Sequence, residues 1–171
     1  MMNTCTLCPR NCKKNRHAGE AGICGVSEQI LLARAALHFW EEPCISGKSG
    51  SGTIFFSGCP LHCIYCQNQL ISGGKVGKEV SVERLAEIML ALQEQGANNI
   101  NLVTPDHYVP AIVKSLTLAK TQGLTLPIVY NTSSYVHVDT IKRLEGLVDV
   151  YLPDYKYAEE SLAYSFSHAL D

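Results

Sequence analysis

The chain has 171 residues, of which 46% are apolar and 18% are charged, and its formal net charge is −2. This composition is typical of a globular domain that can bury a core. The near-equal numbers of basic (14) and acidic (16) residues argue against a protein that binds nucleic acid through charge along its whole length. No apolar run approaches the roughly 20 residues of a membrane span and no signal peptide is recognisable, so we expect a cytoplasmic protein without membrane contacts.

Eight cysteines are many for a chain without an export signal, because disulfides do not persist in a reducing cytosol. Four of them lie in the first 24 residues, three lie between positions 59 and 66, and none follows. This distribution makes metal or iron–sulfur ligation the leading interpretation. The isolated Cys44 is most simply a small buried apolar residue.

The front and the back of the chain differ in pattern. Residues 1–52 are rich in Cys, Gly and basic residues and predict a small Cys-rich N-terminal lobe, with one strand or short helix within 29–40. In the second predicted domain, residues 53–171, strand and helix patterns alternate. Apolar runs bounded by turn residues predict strands at 53–57, 99–104, 126–132 and 148–152. Capped or amphipathic segments predict helices at 81–95, 108–122, 138–144 and 159–168.

This alternation predicts an α/β fold whose strands are joined by right-handed parallel crossovers. Polar or metal-binding side chains follow every predicted strand, in the loops 58–69, 104–107, 131–134 and 154–156. Because chemistry in such folds collects at the C-terminal ends of the strands, we expect the four loops to converge on one rim. Four βα units cannot close a barrel, and eight need about 250 residues, so the sequence predicts an open partial barrel or a truncated one.

The sharpest motif is C-x3-C-x2-C, formed by Cys59, Cys63 and Cys66 on the loop after the first of these strands. Three thiolates can hold three irons of a [4Fe-4S] cube and leave the fourth iron open to a substrate. The alternative is a zinc site that borrows a distant fourth ligand such as His62 or His107. The preceding strand and the aromatic Tyr65 favour the cluster.

This triplet, with an aromatic residue before its last cysteine, resembles the signature of the radical S-adenosylmethionine superfamily. The segment from Gly58 to Asn68 resembles the branch that contains the pyruvate formate-lyase activating enzymes. The N-terminal segments Cys5–Cys12 and Gly22–Gly25 are similar to uncharacterised activating-enzyme-like members of that branch. The resemblance covers nearly the whole chain and implies a six-stranded partial barrel of the radical S-adenosylmethionine type, of which about four βα units are predicted here.

The resemblance also implies a ligand set. The three cysteines would bind a [4Fe-4S] cluster whose open iron chelates S-adenosylmethionine, and Tyr65 would lie near the adenine. Further contacts to S-adenosylmethionine are implied in the loops after the later strands, at Thr104, Asp106, Asn131, Thr132, Asp154 and Lys156. The sequence departs from the family pattern in these loops: Asn131 replaces an acid, Ser134 replaces glycine, Pro153 replaces leucine, and Thr104-Pro105-Asp106-His107 replaces Gly-Gly-Glu.

Two classes of function are compatible with these motifs. The resemblance implies an oxidoreductase that accepts an electron from flavodoxin or ferredoxin, cleaves S-adenosylmethionine to a 5'-deoxyadenosyl radical and abstracts a hydrogen atom. By the same resemblance, that atom would come from a glycine Cα of a glycyl radical enzyme such as pyruvate formate-lyase. The alternative is a non-catalytic iron–sulfur or zinc module that transfers electrons or binds a partner. A carrier closes its cluster with four protein ligands, whereas this triplet supplies three, which favours the enzyme.

The N-terminal cysteines form a candidate second metal site with the spacing C-x2-C-x3-C-x11-C. Four thiolates close a tetrahedron around zinc or ligate a second [4Fe-4S] cluster, and the sequence leaves both, as well as free thiols, open. Basic residues between them, among them Arg10 and Arg16, predict a solvated loop, because no aromatic residues interleave them for base stacking with nucleic acid. The four cysteines are Cys5, Cys8, Cys12 and Cys24.

Overall fold

The computed structural model describes residues 4–169. Residues 1–3 of the predicted N-terminal lobe and residues 170–171 of the predicted barrel therefore lie outside the described part. The strands of this part are β1 (Ile30–His38), β2 (Ser51–Phe56), β3 (Lys78–Val80), β4 (Ile100–Val103), β5 (Ile128–Thr132) and β6 (Val150–Pro153). The α-helices are α1 (Pro43–Ser46), α2 (Gln69–Ser72), α3 (Val82–Glu94), α4 (Val109–Thr121), α5 (Val138–Lys142) and α6 (Glu160–Ser167). Short 3₁₀ helices cover Arg16–Ala18 and Asp106–Tyr108.

The described strands form one six-stranded sheet in the order β3-β1-β2-β4-β5-β6. Strands β2, β4, β5 and β6 are parallel, and their register places Thr53, Asn101, Val129 and Val150 in one row. These are the four strands predicted from the alternating pattern, so the α/β class is confirmed. The mostly parallel sheet with interleaved helices is consistent with a partial barrel.

Two strands extend this sheet beyond the predicted four. Strand β1 comes from the segment assigned to the N-terminal lobe and pairs antiparallel with both β2 and β3. The sequence predicted either a strand or a short helix for this segment. Strand β3 was not predicted, because it has three residues, two of them exposed, and no apolar alternation marks it.

The two long helices follow ordinary end signals. Helix α3 begins after Ser81, whose side chain accepts a hydrogen bond from the backbone N–H of Arg84. Proline occupies the first turn of α4, where its missing N–H costs nothing. Both helices place an apolar face against the sheet, with Leu85, Met89, Ile112 and Leu116 fully buried.

Alternate residues of the parallel strands face opposite sides of the sheet. One set packs under the helices and forms the core, and its members Ile54, Ile100, Leu102, Ile128 and Tyr130 are fully buried. The other set, which includes Phe55, Val103 and Asn131, faces the concave side and lines a cavity. In residues 4–169 no helix has the length and apolar character that a bilayer crossing needs.

Candidate functional site

A cavity of about 740 Å³ lies on the concave side of the sheet. Each of the four loops that follow β2, β4, β5 and β6 contributes to its wall. Of the ten residues predicted to bind the cluster or S-adenosylmethionine, eight line it together: Cys59, Cys63, Tyr65, Cys66, Thr104, Asn131, Asp154 and Lys156. The other two are Asp106 and Thr132.

The cysteine loop leaves β2 through Gly58, where the backbone turns sharply. Gly58 has φ +87°, and a Cβ at this position would lie 2.7 Å from the carbonyl oxygen of Cys24. The next residue, Cys59, donates its backbone N–H to that same carbonyl at 3.1 Å. Only glycine fits so close an approach, so this residue fixes the direction in which the loop starts.

The three thiols of the loop have different surroundings. Burial raises the pKa of Cys59 to about 11, and the backbone N–H groups of His62 and Leu61, which hydrogen-bond to its sulfur, act against that rise. Cys63 Sγ accepts a hydrogen bond from the hydroxyl of Ser167 at 3.0 Å. Cys59 and Cys66 pack against the apolar group formed by Leu61, Cys63 and Ala169.

The donor set suits a [4Fe-4S] cluster, because three thiols of one loop share one cavity wall and cysteine thiolates are the usual cluster ligands. Within residues 4–169 no three Cys, His, Asp or Glu side chains converge on a point where they could hold a single metal ion. Thiols that bind three different irons of a cube lie farther apart than the ligands of one ion.

An ion pair lies in the wall beside these thiols. Lys156 Nζ lies 2.7 Å from Asp154 Oδ2. Burial opposes the charge of the lysine, but the hydrogen bond to Asp154 and the nearby thiols of Cys63 and Cys59 raise its pKa above the ordinary value. The pair therefore presents one fixed cation and one half-exposed carboxylate to the cavity.

Asp106, predicted to contact S-adenosylmethionine, lies behind the wall with no exposed surface. Its carboxylate accepts hydrogen bonds from the hydroxyls of Tyr130 at 3.0 Å, Thr132 at 2.6 Å and Ser133 at 3.3 Å. Burial raises its pKa, and these hydrogen bonds act in the opposite direction. The hydroxyl of Thr132 is likewise used within the fold, in its hydrogen bond to Asp106. Both residues therefore hold the loop after β5 in place, and Ser133 of that loop lines the cavity.

His107 is also a buried structural residue. Its Nε2 lies 2.8 Å from the carbonyl oxygen of Ser57, to which it donates a hydrogen bond. Burial lowers its pKa to about 3, so the ring is neutral at neutral pH. Its other ring nitrogen, Nδ1, is buried and has no hydrogen-bond partner among the described residues.

Sequence reasoning missed part of the cavity wall. His38, Trp40, Glu41 and Glu42 line the wall as well. His38 pairs with Ser51 at the start of β2, so the cavity extends along the sheet toward the N-terminal end of that strand. Trp40 is 88% exposed. Cys44 was expected to be buried and is exposed. Neither residue lies in a periodic apolar pattern, so the sequence carried no signal for its environment.

Tyr65 belongs to an exposed aromatic group at the cavity. Its ring centroid lies 6.2 Å from that of Tyr157 and 6.1 Å from that of Phe166. The hydroxyl of Tyr157 lies 2.5 Å from that of Ser167, the residue that contacts Cys63. The segment before and within α6 thus supports the cysteine loop, a role that the sequence alone did not indicate.

The N-terminal cysteines lie near one another in the lobe. Cys8 and Cys24 are buried, and Cys5 and Cys12 are partly exposed. A Cβ built on Gly22 would lie 3.2 Å from the sulfur of Cys24 and 3.5 Å from that of Cys12. Burial, with smaller contributions from the three other thiols nearby, raises the pKa of Cys8 to about 11.

Two basic residues of this lobe correct the expectation of a solvated loop. Arg16 is buried, and its guanidinium donates hydrogen bonds to the carbonyls of Val26, Ser27 and His107 at 2.6–3.2 Å. Arg10 reaches the cysteine loop in a similar way. A charge run in the sequence does not reveal which guanidinium groups find carbonyl partners far along the chain.

Three thiols in a cavity at the C-terminal ends of parallel strands are the arrangement expected of a protein that binds an iron–sulfur cluster at this edge of the sheet. The chain belongs to the radical SAM superfamily, whose family model matches residues 53–161. Membership implies a [4Fe-4S] cluster and S-adenosylmethionine. The chain is also 30% identical, over 166 residues, to an uncharacterised protein of Methanocaldococcus jannaschii. The match covers 92% of this chain and 46% of that relative, so the chain spans a little under half of its length.

Proposed function

We propose that this protein is a radical S-adenosylmethionine enzyme that generates a 5'-deoxyadenosyl radical for hydrogen-atom abstraction. The observation that carries the proposal is the shared wall of one cavity, where the three thiols of the 59–66 loop lie beside polar residues from the three other loops. An electron carrier needs no such polar wall, because its cluster exchanges only electrons.

Cys59, Cys63 and Cys66 are the residues that would hold the cluster. A reduced [4Fe-4S] cluster with one open iron supplies the electron that splits S-adenosylmethionine into methionine and the radical. The task of the chain is to orient S-adenosylmethionine and to keep water from the reacting atoms. The cavity is large enough to enclose both groups in part, because ligand sites have volumes of about 300–1,000 Å³.

The polar wall suits the charged methionine end of S-adenosylmethionine. We assign Lys156 to the carboxylate of the methionine end, because the two groups have opposite charges. We assign the side-chain oxygen atoms of Asp154 and Asn131 to the ammonium group, which donates hydrogen bonds that these oxygens can accept. Thr104 contributes a further hydroxyl to this wall. Tyr65 is assigned to the adenine, because its exposed ring offers a stacking face.

Anaerobic reconstitution tests this assignment. The protein is loaded with iron and sulfide, mixed with S-adenosylmethionine and dithionite, and assayed for 5'-deoxyadenosine. We expect product from the wild type and none from Cys59→Ala, Cys63→Ala or Cys66→Ala, because two thiolates do not retain the cube. Cys44→Ala, which removes an exposed thiol outside the cavity, is the matched control and keeps the activity. A wild-type chain that binds a cluster but forms no 5'-deoxyadenosine would refute the proposal.

The finer assignment is to the branch of pyruvate formate-lyase activating enzymes. The resemblance of the segment from Gly58 to Asn68 supports it, and the hydrogen donor would then be a glycine Cα in a glycyl radical enzyme. Flavodoxin or ferredoxin is the proposed electron donor, and the reducing cytoplasm is the proposed location because it keeps eight thiols reduced. A glycyl radical signal in a purified partner, seen only when this protein and S-adenosylmethionine are added, is the result expected.

The N-terminal quartet is proposed as a second metal site. The proximity of Cys5, Cys8, Cys12 and Cys24 supports it, and both zinc and a second [4Fe-4S] cluster suit four thiolates. Replacing all four by serine is expected to remove one zinc, or four irons, per chain in elemental analysis and to leave the other cluster in place. Unchanged metal content would show that these thiols bind none.

A further inference from the structure

Arg10 connects three distant parts of the chain through backbone carbonyls. Its Nε donates to the carbonyl of Pro60 at 2.8 Å, and its Nη2 donates to those of Leu61 at 3.2 Å and Ser167 at 2.5 Å. Its Nη1 donates to the carbonyl of His168. A planar guanidinium with five donors is suited to bind several fixed acceptors at once, and its charge strengthens each bond.

The two peptide groups that Arg10 holds in the cysteine loop also face the sulfur of Cys59. The Pro60–Leu61 peptide accepts from Arg10 at its carbonyl, and its N–H group, which belongs to Leu61, hydrogen-bonds to Cys59 Sγ. The Leu61–His62 peptide does the same, with the N–H of His62 on the sulfur. In a planar trans peptide the C=O and N–H groups point in opposite directions, so fixing one fixes the other.

Each of these peptides therefore lies between a permanent cation and a cysteine sulfur. A cation on the carbonyl polarises the peptide and strengthens the hydrogen bond that its N–H donates. Hydrogen bonds to cluster sulfurs are one of the factors that set the reduction potential. They favour the reduced cluster, since it carries the additional negative charge.

We propose that Arg10 is a positioning residue that orients the two peptides of the Pro60–His62 segment toward Cys59 and thereby raises the reduction potential of the bound cluster. This rests on the proposed function for the cluster itself. The role is indirect, because Arg10 does not line the cavity and touches the loop only through its carbonyls.

The first test is a redox titration of the reconstituted protein, followed by electron paramagnetic resonance. We expect a more negative midpoint potential in Arg10→Gln and an intermediate one in Arg10→Lys, which keeps the charge but lacks the planar fork. Lys14→Gln, which removes an exposed cation of the same lobe, is the matched control and should keep the wild-type potential. A wild-type potential in Arg10→Gln loaded with the full iron content would overturn the proposal.

The second test measures the hydrogen bonds of the cysteine loop in the protein without a cluster. Amide hydrogen exchange at Leu61 and His62 in the metal-free protein should be about tenfold faster in Arg10→Gln, because charge-assisted hydrogen bonds are worth at least that factor. Exchange in α3 is the internal control for folding. If Arg10→Gln loses protection there, Arg10→Lys takes its place, with a smaller acceleration expected at the same two amides. Wild-type exchange at both amides would overturn the proposal. Failure of the wild type to bind a cluster would instead refute the proposed function.

Discussion

The ion pair of Asp154 and Lys156 gives a first test of how the cavity binds its ligand. Asp154 lies in the wall, pairs with Lys156 and is not one of the proposed cluster ligands, so its removal should leave the cluster in place. We expect Asp154→Ala to keep the visible absorbance of the cluster and to weaken binding of S-adenosylmethionine about tenfold, the loss of one charge-assisted hydrogen bond. Titration of S-adenosylmethionine, followed by the change in the electron paramagnetic resonance signal, measures this.

Asp139, an exposed carboxylate on α5 that pairs with Lys142, offers a control for this variant. Asp139→Ala should bind S-adenosylmethionine as the wild type does. Equal affinity in Asp154→Ala and Asp139→Ala would mean that the ion pair of the wall has no part in binding.

His107 should make the stability of the protein depend on pH. The folded state keeps the pKa of this buried ring at about 3, whereas the unfolded chain binds the proton below about 6.5. The unfolded state thus binds more protons between these values, so the free energy of unfolding is highest above pH 6.5 and falls as the pH is lowered. The decrease reaches about 1.4 kcal/mol per pH unit.

Urea unfolding at pH 7 and pH 5 tests this. The wild type should lose about 2 kcal/mol more than His107→Gln between these pH values. His17→Gln removes an exposed histidine that pairs with Glu28 and should behave as the wild type does. An identical loss in the wild type and in His107→Gln would contradict the depressed pKa.

The loop after β2 depends on a single glycine. Gly58 combines φ +87° with carbonyl and side-chain atoms only 2.7–2.9 Å from the place that a Cβ would occupy, whereas Gly96 has φ +84° and open space. We expect Gly58→Ala to lower the free energy of unfolding by about 2–4 kcal/mol and to reduce iron binding, because the clash moves the cysteine loop. Gly96→Ala carries the backbone cost alone, about 1 kcal/mol. Equal losses in the two variants, measured by urea unfolding, would show that the close contact is relieved without cost.

Most helices and strands of the second predicted domain could be predicted from local sequence patterns. The helix predicted at 81–95 is observed as Val82–Glu94, and the strand at 126–132 as Ile128–Thr132. Capping residues and apolar periodicity are local, so the chain carries them in consecutive positions. Strand β3 depends instead on its pairing with β1 some 50 residues earlier, and no local pattern encodes such a pairing.

The N-terminal lobe is attached to the rest of the molecule at several places. The carbonyl of Cys24 accepts from Cys59, that of Leu7 accepts from the hydroxyl of Thr140 on α5, and Arg16 binds the carbonyl of His107. The lobe therefore contacts the loops after β2 and β4 as well as α5. Its removal would expose backbone groups throughout the cavity rim.

Arg16 is the residue through which this attachment is best measured. We expect Arg16→Met to lower the free energy of unfolding by about 3 kcal/mol, because two buried carbonyls and one partly buried carbonyl lose their charged donor. Arg34→Met on β1 removes an exposed guanidinium and should change stability little. A loss below about 0.5 kcal/mol in Arg16→Met, in urea unfolding at pH 7, would show that water replaces the arginine.

The sequence by itself determined the order of strands and helices in the parallel part of the sheet and the three-cysteine loop at the end of its first strand. Both follow from residues close together in the chain, whose spacing sets periodicity and ligand geometry. Only the tertiary structure decided that Asp106 and His107 are buried behind the wall and that Arg10 holds the cysteine loop. These depend on partners 24–158 residues apart, and the physical reason is that burial and hydrogen bonding are properties of the packed chain.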